Sequence, residues 1–196
     1  MIGPDVLIRR ALPGRQDVLT GRPGDGTLLR RYAGDWRSIL EGTSIGILQL
    51  MYPPLGAAVA AQSGFFEDPY GRIYRSIPQI WATILAPDAE ARARRIRDLH
   101  RGIRGLVNGQ RYHALDPETF WWAHATFTWE MFRSVELFHR NSLGHRQNEQ
   151  LYVETVVLYD YFDVPVVDWT FPTASRIKQS HHDWLKRGTL VALELE

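Results

Sequence analysis

The sequence predicts an all-α fold: one helical domain of about six to eight helices around a buried helix near residues 117–139. Three observations lead there. Apolar residues recur at three- and four-residue steps through most of the chain. Proline or glycine marks most of the breaks between those segments, and no convincing strand ladder is visible.

Taken in order, residues 1–27 carry Gly3, Pro4, Pro13, Gly14, Gly21, Pro23, Gly24 and Gly26 and read as an irregular arm, with the helical domain spanning 28–196. Trp36, Ile39, Leu40, Ile47, Leu50 and Met51 fit a helix that "YPPLG" ends. A small-residue helix follows from about Leu55, and another from about Tyr70, kinked at Pro78. "DAEARARRIRDLHRGIRGLVNG" reads as one helix, acidic early and basic late, stopped by Gly109. It places Ile96, Leu99, His100, Ile103, Leu106 and Val107 on one inward stripe, flanked by Arg94, Arg97, Arg101 and Arg104. Asp116 caps and Pro117 opens the next helix, whose run "FWWAHATFTWEMFRSVELF" is apolar almost all round and therefore central. His124 shares a stripe there with Phe120, Phe127, Met131, Val135 and Phe138. Residues 150–163 form a further helix, "DVPVVDWTFPTASR" a loop, and Ser175–Glu196 a last, weakly amphipathic helix.

Composition narrows the function. The chain of 196 residues is 44% hydrophobic, enough for a core of its own. A net charge of +1 gives no electrostatic case for nucleic acid or an anionic membrane. Absence of cysteine excludes thiol nucleophiles, thiolate-ligated haem, cysteine zinc sites and disulfides. No secretory signal and no transmembrane-length apolar run is visible, so a cytoplasmic location is expected. All but two of the 23 basic residues, Lys178 and Lys186, are arginine, the side chain suited to bidentate contact with carboxylates.

Phosphate loops, dinucleotide fingerprints, nucleophile elbows and HExxH pairs are absent. His139, His145 and the "HHD" at His181–Asp183 lie in polar surroundings and read as surface histidines. His100 and His124 sit on apolar faces. Each reads either as an ordinary core histidine or as a haem ligand, since a neutral imidazole on a dry face suits haem iron. Neighbouring arginines suit propionates, and tryptophan and phenylalanine offer flat walls for a porphyrin or an apolar substrate. Glu41, Glu67 and Glu130 stand as unranked candidates for a distal acid or base.

Four stretches carry a family resemblance: "LEGTSIGILQLMYPPLGAAVAAQSGFFEDPYGRIYRS", "RRIRDLHRGIRG", "YHALDPETFWWAHATF" and, weakly, "LYDYFDVPV". Over about residues 28–165, in the same order, the chain resembles the haem-dependent oxygenases that include the latex-clearing rubber oxygenases and the MpaB-type oxygenases of mycophenolic acid biosynthesis. The resemblance implies a helical domain that holds haem b through an axial histidine, here His100, and uses dioxygen on an apolar, isoprenoid or lipid-like substrate. The family's arginine and hydroxyl residue, four apart after the "DP" turn, fall on Arg72 and Ser76, the latter usually threonine; Arg75 is a neighbouring candidate. Arg97 and Arg101 become further propionate partners, and His124 of "WAHAT" a pocket residue. Two departures stand out: Tyr52 in "QLMYPP" where relatives carry histidine, and the missing glycine near "LAPD". Relatives run longer, so a C-terminal portion that closes the pocket is expected to lie outside these residues. The competing expectations are a non-catalytic helical interaction module and a haem carrier or sensor.

Overall fold

The computed structural model describes residues 26–140 and 143–165, apart from the side chains of Ile39 and Thr43. The arm up to residue 25, "VVDWTFPTASR" and the expected C-terminal helix lie outside the described residues. Within them the chain is mainly helical, as the periodicity predicts: α1 (Leu28–Tyr32), α2 (Ser38–Leu50), α3 (Pro53–Gln62), α4 (Pro69–Leu85) and α5 (Ala89–Leu99) precede a small hairpin of β1 (Arg104–Val107) and β2 (Gln110–His113), and α6 (Pro117–Phe138) and α7 (His145–Asp160) follow it.

Local chemistry explains most boundaries. Pro53 and Pro54 occupy the first positions of α3, where a missing N–H costs nothing, so the same dipeptide that stops α2 starts the next helix. Asp68 caps α4 by accepting from Gly71 N at 2.9 Å, and Pro78 lies inside that helix. Gln147 reaches back to Gly144 N at 3.1 Å and starts α7 at His145, earlier than the apolar pattern alone suggests.

One expected helix is corrected. The segment read as continuous from Asp88 to Gly109 ends at Leu99, with His100 as its C-cap, and residues 104–113 turn into an antiparallel hairpin pairing Val107 with Gln110. Asn108 (φ 52°) and Gly109 (φ 77°) form the turn. Two left-handed residues in succession match the twist of paired strands, which is why Asn-Gly favours a hairpin over a helix stop. Across the strands Gly105 faces Tyr112, whose hydroxyl lies 2.6 Å from where a Cβ would sit, so only glycine lets that buried ring lie flat. The inward stripe therefore does not exist as drawn: Leu99 is 70% exposed and Leu106 68% exposed.

Two apolar clusters share α6. The larger joins Leu28, Leu29 and Tyr32 of α1 with Ile84, Met131, Phe132, Val135, Leu151 and Leu158. The smaller joins Ile45 and Leu48 of α2 with Trp122. The expected central helix thus holds both together. Its buried face also carries Thr119, Thr126, Thr128, Glu130 and Ser134. Thr126 returns its hydroxyl to the Trp122 and Ala123 carbonyls at 3.0 and 2.9 Å and receives Gln49 of α2, also at 2.9 Å.

Polar clasps close the ends. Glu154, buried on α7, accepts from Leu29 N at 2.6 Å and from Gln150 at 2.9 Å. Arg30 of α1 donates to the Leu85 carbonyl at 2.9 Å, satisfying the C-terminus of α4. Arg37 pairs with Asp35 and donates to the Phe138 carbonyl at 2.7 Å, fastening the α1–α2 loop to the end of α6.

Candidate functional site

The two candidate histidines meet where the end of α5 reaches the first turns of α6 and the last turns of α7; no contact brings Arg72, Arg75 or Ser76 of α4 to them among the described residues. His100, half-buried at the C-cap, turns its ring back along α5 so that Nδ1 lies 2.7 Å from the Ile96 carbonyl. A carbonyl only accepts, so Nδ1 carries the proton and Nε2 keeps its lone pair. Among the described residues nothing bonds that Nε2. The ring meets the Phe120 edge at 6.4 Å between centroids.

Phe120 connects this histidine to the second one. Its ring contacts Tyr159 at 5.9 Å and Phe162 at 5.4 Å, and Tyr159 in turn lies 5.0 Å from the His124 ring. His100 and His124 therefore belong to one aromatic cluster across α5, α6 and α7. Burial pushes the His124 pKa down to about 4, only partly offset by its backbone hydrogen bond with Thr155, so its imidazole is neutral at physiological pH. The Tyr159 hydroxyl is buried without a hydrogen-bond partner among the described residues, and burial, with Asp160 nearby, raises its pKa and keeps it protonated.

The remaining expected residues are placed as follows. Arg72 and Ser76 lie one turn apart on α4, where the Ser76 hydroxyl donates to the Arg72 carbonyl at 2.8 Å. Arg72 makes no ion pair among the described residues, while Arg75 lies 3.4 Å from Asp68. Arg97 already pairs with Asp98 at 2.9 Å and Asp163 at 2.7 Å, and Arg101 pairs with the same Asp98 at 2.9 Å. Arg94 pairs with Glu90.

Two further histidines show what a committed ring looks like. His113 accepts from Leu115 N through Nδ1 at 3.1 Å and meets the Arg101 carbonyl with Nε2 at 2.9 Å, so both nitrogens are used. His139 spends Nε2 on Asp35 at 3.0 Å. Tyr52, the residue in place of the relatives' histidine, hydrogen-bonds Thr119 and Glu118 and lies 6.0 Å from Trp122; burial and the Glu118 charge push its phenol up. Of the three carboxylates weighed from the sequence, Glu130 is set apart: it is buried on α6, and burial with Glu41 close by raises its pKa to about 7. No group of three or more histidine or acidic side chains among the described residues is arranged to hold a bare metal ion.

Sequence reasoning missed Tyr159 and Phe162, although "LYDYF" places both at the end of a helix, because nothing in their spacing points toward α6. The helical frame thus brings two imidazoles and a phenol together in one aromatic cluster. The chain belongs to the family described as ER-bound oxygenase mpaB/B'/Rubber oxygenase, catalytic domain, which it matches over residues 30–189. No curated protein and no solved structure matches the chain.

Proposed function

We propose that the protein is a haem b-dependent oxygenase that acts with dioxygen on an apolar, isoprenoid or lipid-like substrate, with His100 as the axial iron ligand. The observation that carries the reading is the His100 ring: its Nδ1–H is held by the Ile96 carbonyl, and among the described residues nothing takes the Nε2 lone pair. A ligating histidine is normally fixed by such a backbone bond on its other nitrogen, which sets tautomer and orientation. His113, with both nitrogens engaged, lacks that capacity.

Haem supplies the dioxygen chemistry when bound; the chain supplies ligation, polarity and access. His100 would hold the iron through Nε2. Arg72, without an ion pair among the described residues, is the first choice for a propionate; Arg75, Arg97 and Arg101 join it only by loosening their aspartate contacts. Ser76 sits beside Arg72 as a hydroxyl donor. His124 and Tyr159, both neutral, line the apolar side with polar atoms that carry no charge to repel an apolar substrate.

Absorption spectra of the purified chain during haem addition test this. A saturable Soret band that His100→Ala abolishes and His145→Ala leaves intact is the expected result; no saturable uptake by the unsubstituted chain overturns it. Oxygen consumption with an isoprenoid substrate then separates an oxygenase from a carrier or sensor.

A further inference from the structure

Helix α5 is supported from one side. It packs along α4 and makes sparse contact with α6 and α7 among the described residues, so individual side chains decide where its C-terminal end points. That end carries His100. The hairpin ties the backbone just beyond it, through His113 Nε2 and the Arg101 carbonyl at 2.9 Å. From α6 the Phe120 ring reaches His100 at 6.4 Å between centroids, and from the turn after α7 an ion pair reaches Arg97, three residues earlier.

This ion pair has a specific build. The Arg97 side chain is 13% exposed, and its guanidinium is divided: Nε donates to Asp98 on its own helix at 2.9 Å, while Nη1 crosses to Asp163 Oδ2 at 2.7 Å. Asp163 has φ 51°, in the left-handed region that most side chains avoid and that aspartate and asparagine tolerate best after glycine. The turn it makes leaves its carboxylate on Arg97 and sends Val164 into the interior. Its neighbour Phe162 lies on Phe120 at 5.4 Å. Arg97 to Asp163, Phe162 to Phe120 and Phe120 to His100 therefore form a closed circuit of contacts that begins and ends on α5.

We propose that Asp163 is a positioning residue for His100: by holding Arg97 it fixes the end of α5 against Phe120 and Phe162, and so fixes the direction in which the His100 ring presents Nε2. Arg97 then serves Asp163 rather than a propionate. Asp163 acts through Arg97 and Phe162 and touches neither the ring nor its ligand. Because its own side chain is 76% exposed, the pair contributes little to overall stability, and its loss is read at His100 rather than in the melting temperature. The consequence for iron rests on the proposed ligand role of His100; the placement of the ring does not.

Nuclear magnetic resonance of the full chain with isotope-labelled histidine tests the proposal, the His100 ring signal being identified by its loss in His100→Ala. Asp163→Asn keeps the side-chain shape and the tolerance for a left-handed backbone while removing the charge. The expected result is that the His100 signal shifts or broadens in Asp163→Asn, equally in Arg97→Gln, and no further in the double variant, because all three lose one and the same contact. Haem affinity falls about threefold or more in the same variants. Val135→Ala, which trims the larger cluster, lowers the melting temperature and leaves the His100 signal in place. An unaltered His100 signal in Asp163→Asn overturns the proposal, as does a change that Val135→Ala reproduces, since lost stability then accounts for it. Effects of the two single substitutions that simply add overturn it too, as does unchanged affinity in a chain that takes up haem. Where the unsubstituted chain takes up none, the ligand reading fails and the His100 signal alone still decides the role of Asp163.

Discussion

Glu130 and His124 lie on the same helix and titrate in opposite senses. The Glu130 pKa rises from 4.5 to about 7 on folding, so its folded form binds more protons than its unfolded form. Relative stability is therefore fully present below about 4.5 and lost as pH climbs to about 7. Glu130→Gln is expected to gain about 1–3 kcal/mol at pH 8 and almost nothing at pH 4.5, measured by urea unfolding. His124 behaves in reverse: with its pKa lowered from 6.5 to about 4, its contribution is lost as pH falls through that window. His124→Leu should flatten the acid limb of the stability curve between about pH 6.5 and 4. The two residues were visible in the sequence, Glu130 as one of three unranked carboxylates and His124 on an apolar stripe. Neither the proximity of Glu41 to Glu130 nor the Thr155 hydrogen bond was, because both partners come from other helices.

The hairpin separates what the sequence encodes from what periodicity detects. Residues 94–107 satisfy a helical repeat, yet the structure obeys Asn108-Gly109, whose positive φ values a continuing helix excludes. Two cues therefore compete over one segment, and the turn prevails because it lets residues 104–107 pair with 110–113. Gly105→Ala is expected to destabilise the protein by about 1–3 kcal/mol by displacing the Tyr112 ring, with Gly102→Ala, where a Cβ meets open space, as the control in thermal melts. The correction sharpens the site: a His100 inside a continuing helix would have given its neighbours to the core, whereas at the C-cap its ring folds back on Ile96 and no other described residue bonds Nε2. Helices α2, α3, α4 and α6 were legible to within about two residues at their starts; Pro117 was read as a start, whereas Pro53 read only as the stop of α2 and Pro69 as part of a turn, although each opens a helix.

At the scale of the whole molecule, α6 makes two clusters behave as one. Phe132→Ala in the larger is expected to cost about 3–5 kcal/mol, and Trp122→Ala in the smaller a similar amount. Because one helix carries both side chains, far-ultraviolet circular dichroism and tryptophan fluorescence should report a single coincident transition in each variant. Membership of the family followed from spaced motifs that survive in sequence. The aromatic route from His100 through Phe120 and Tyr159 to His124 did not, because it is assembled from three helices and no stretch of chain contains it.

The bond from Leu29 N to Glu154, spanning 125 residues, bears on when the protein can fold during synthesis. The first turn and the helix that secures it are the first and last of the described helices to leave the ribosome, so the larger cluster stays open until α7 has emerged. Closure of so distant a contact comes late and exposes α6 to misassociation in the meantime. Nascent chains ending before Glu154 should be degraded by protease throughout, and a resistant fragment should first appear once the whole of α7 has cleared the exit tunnel.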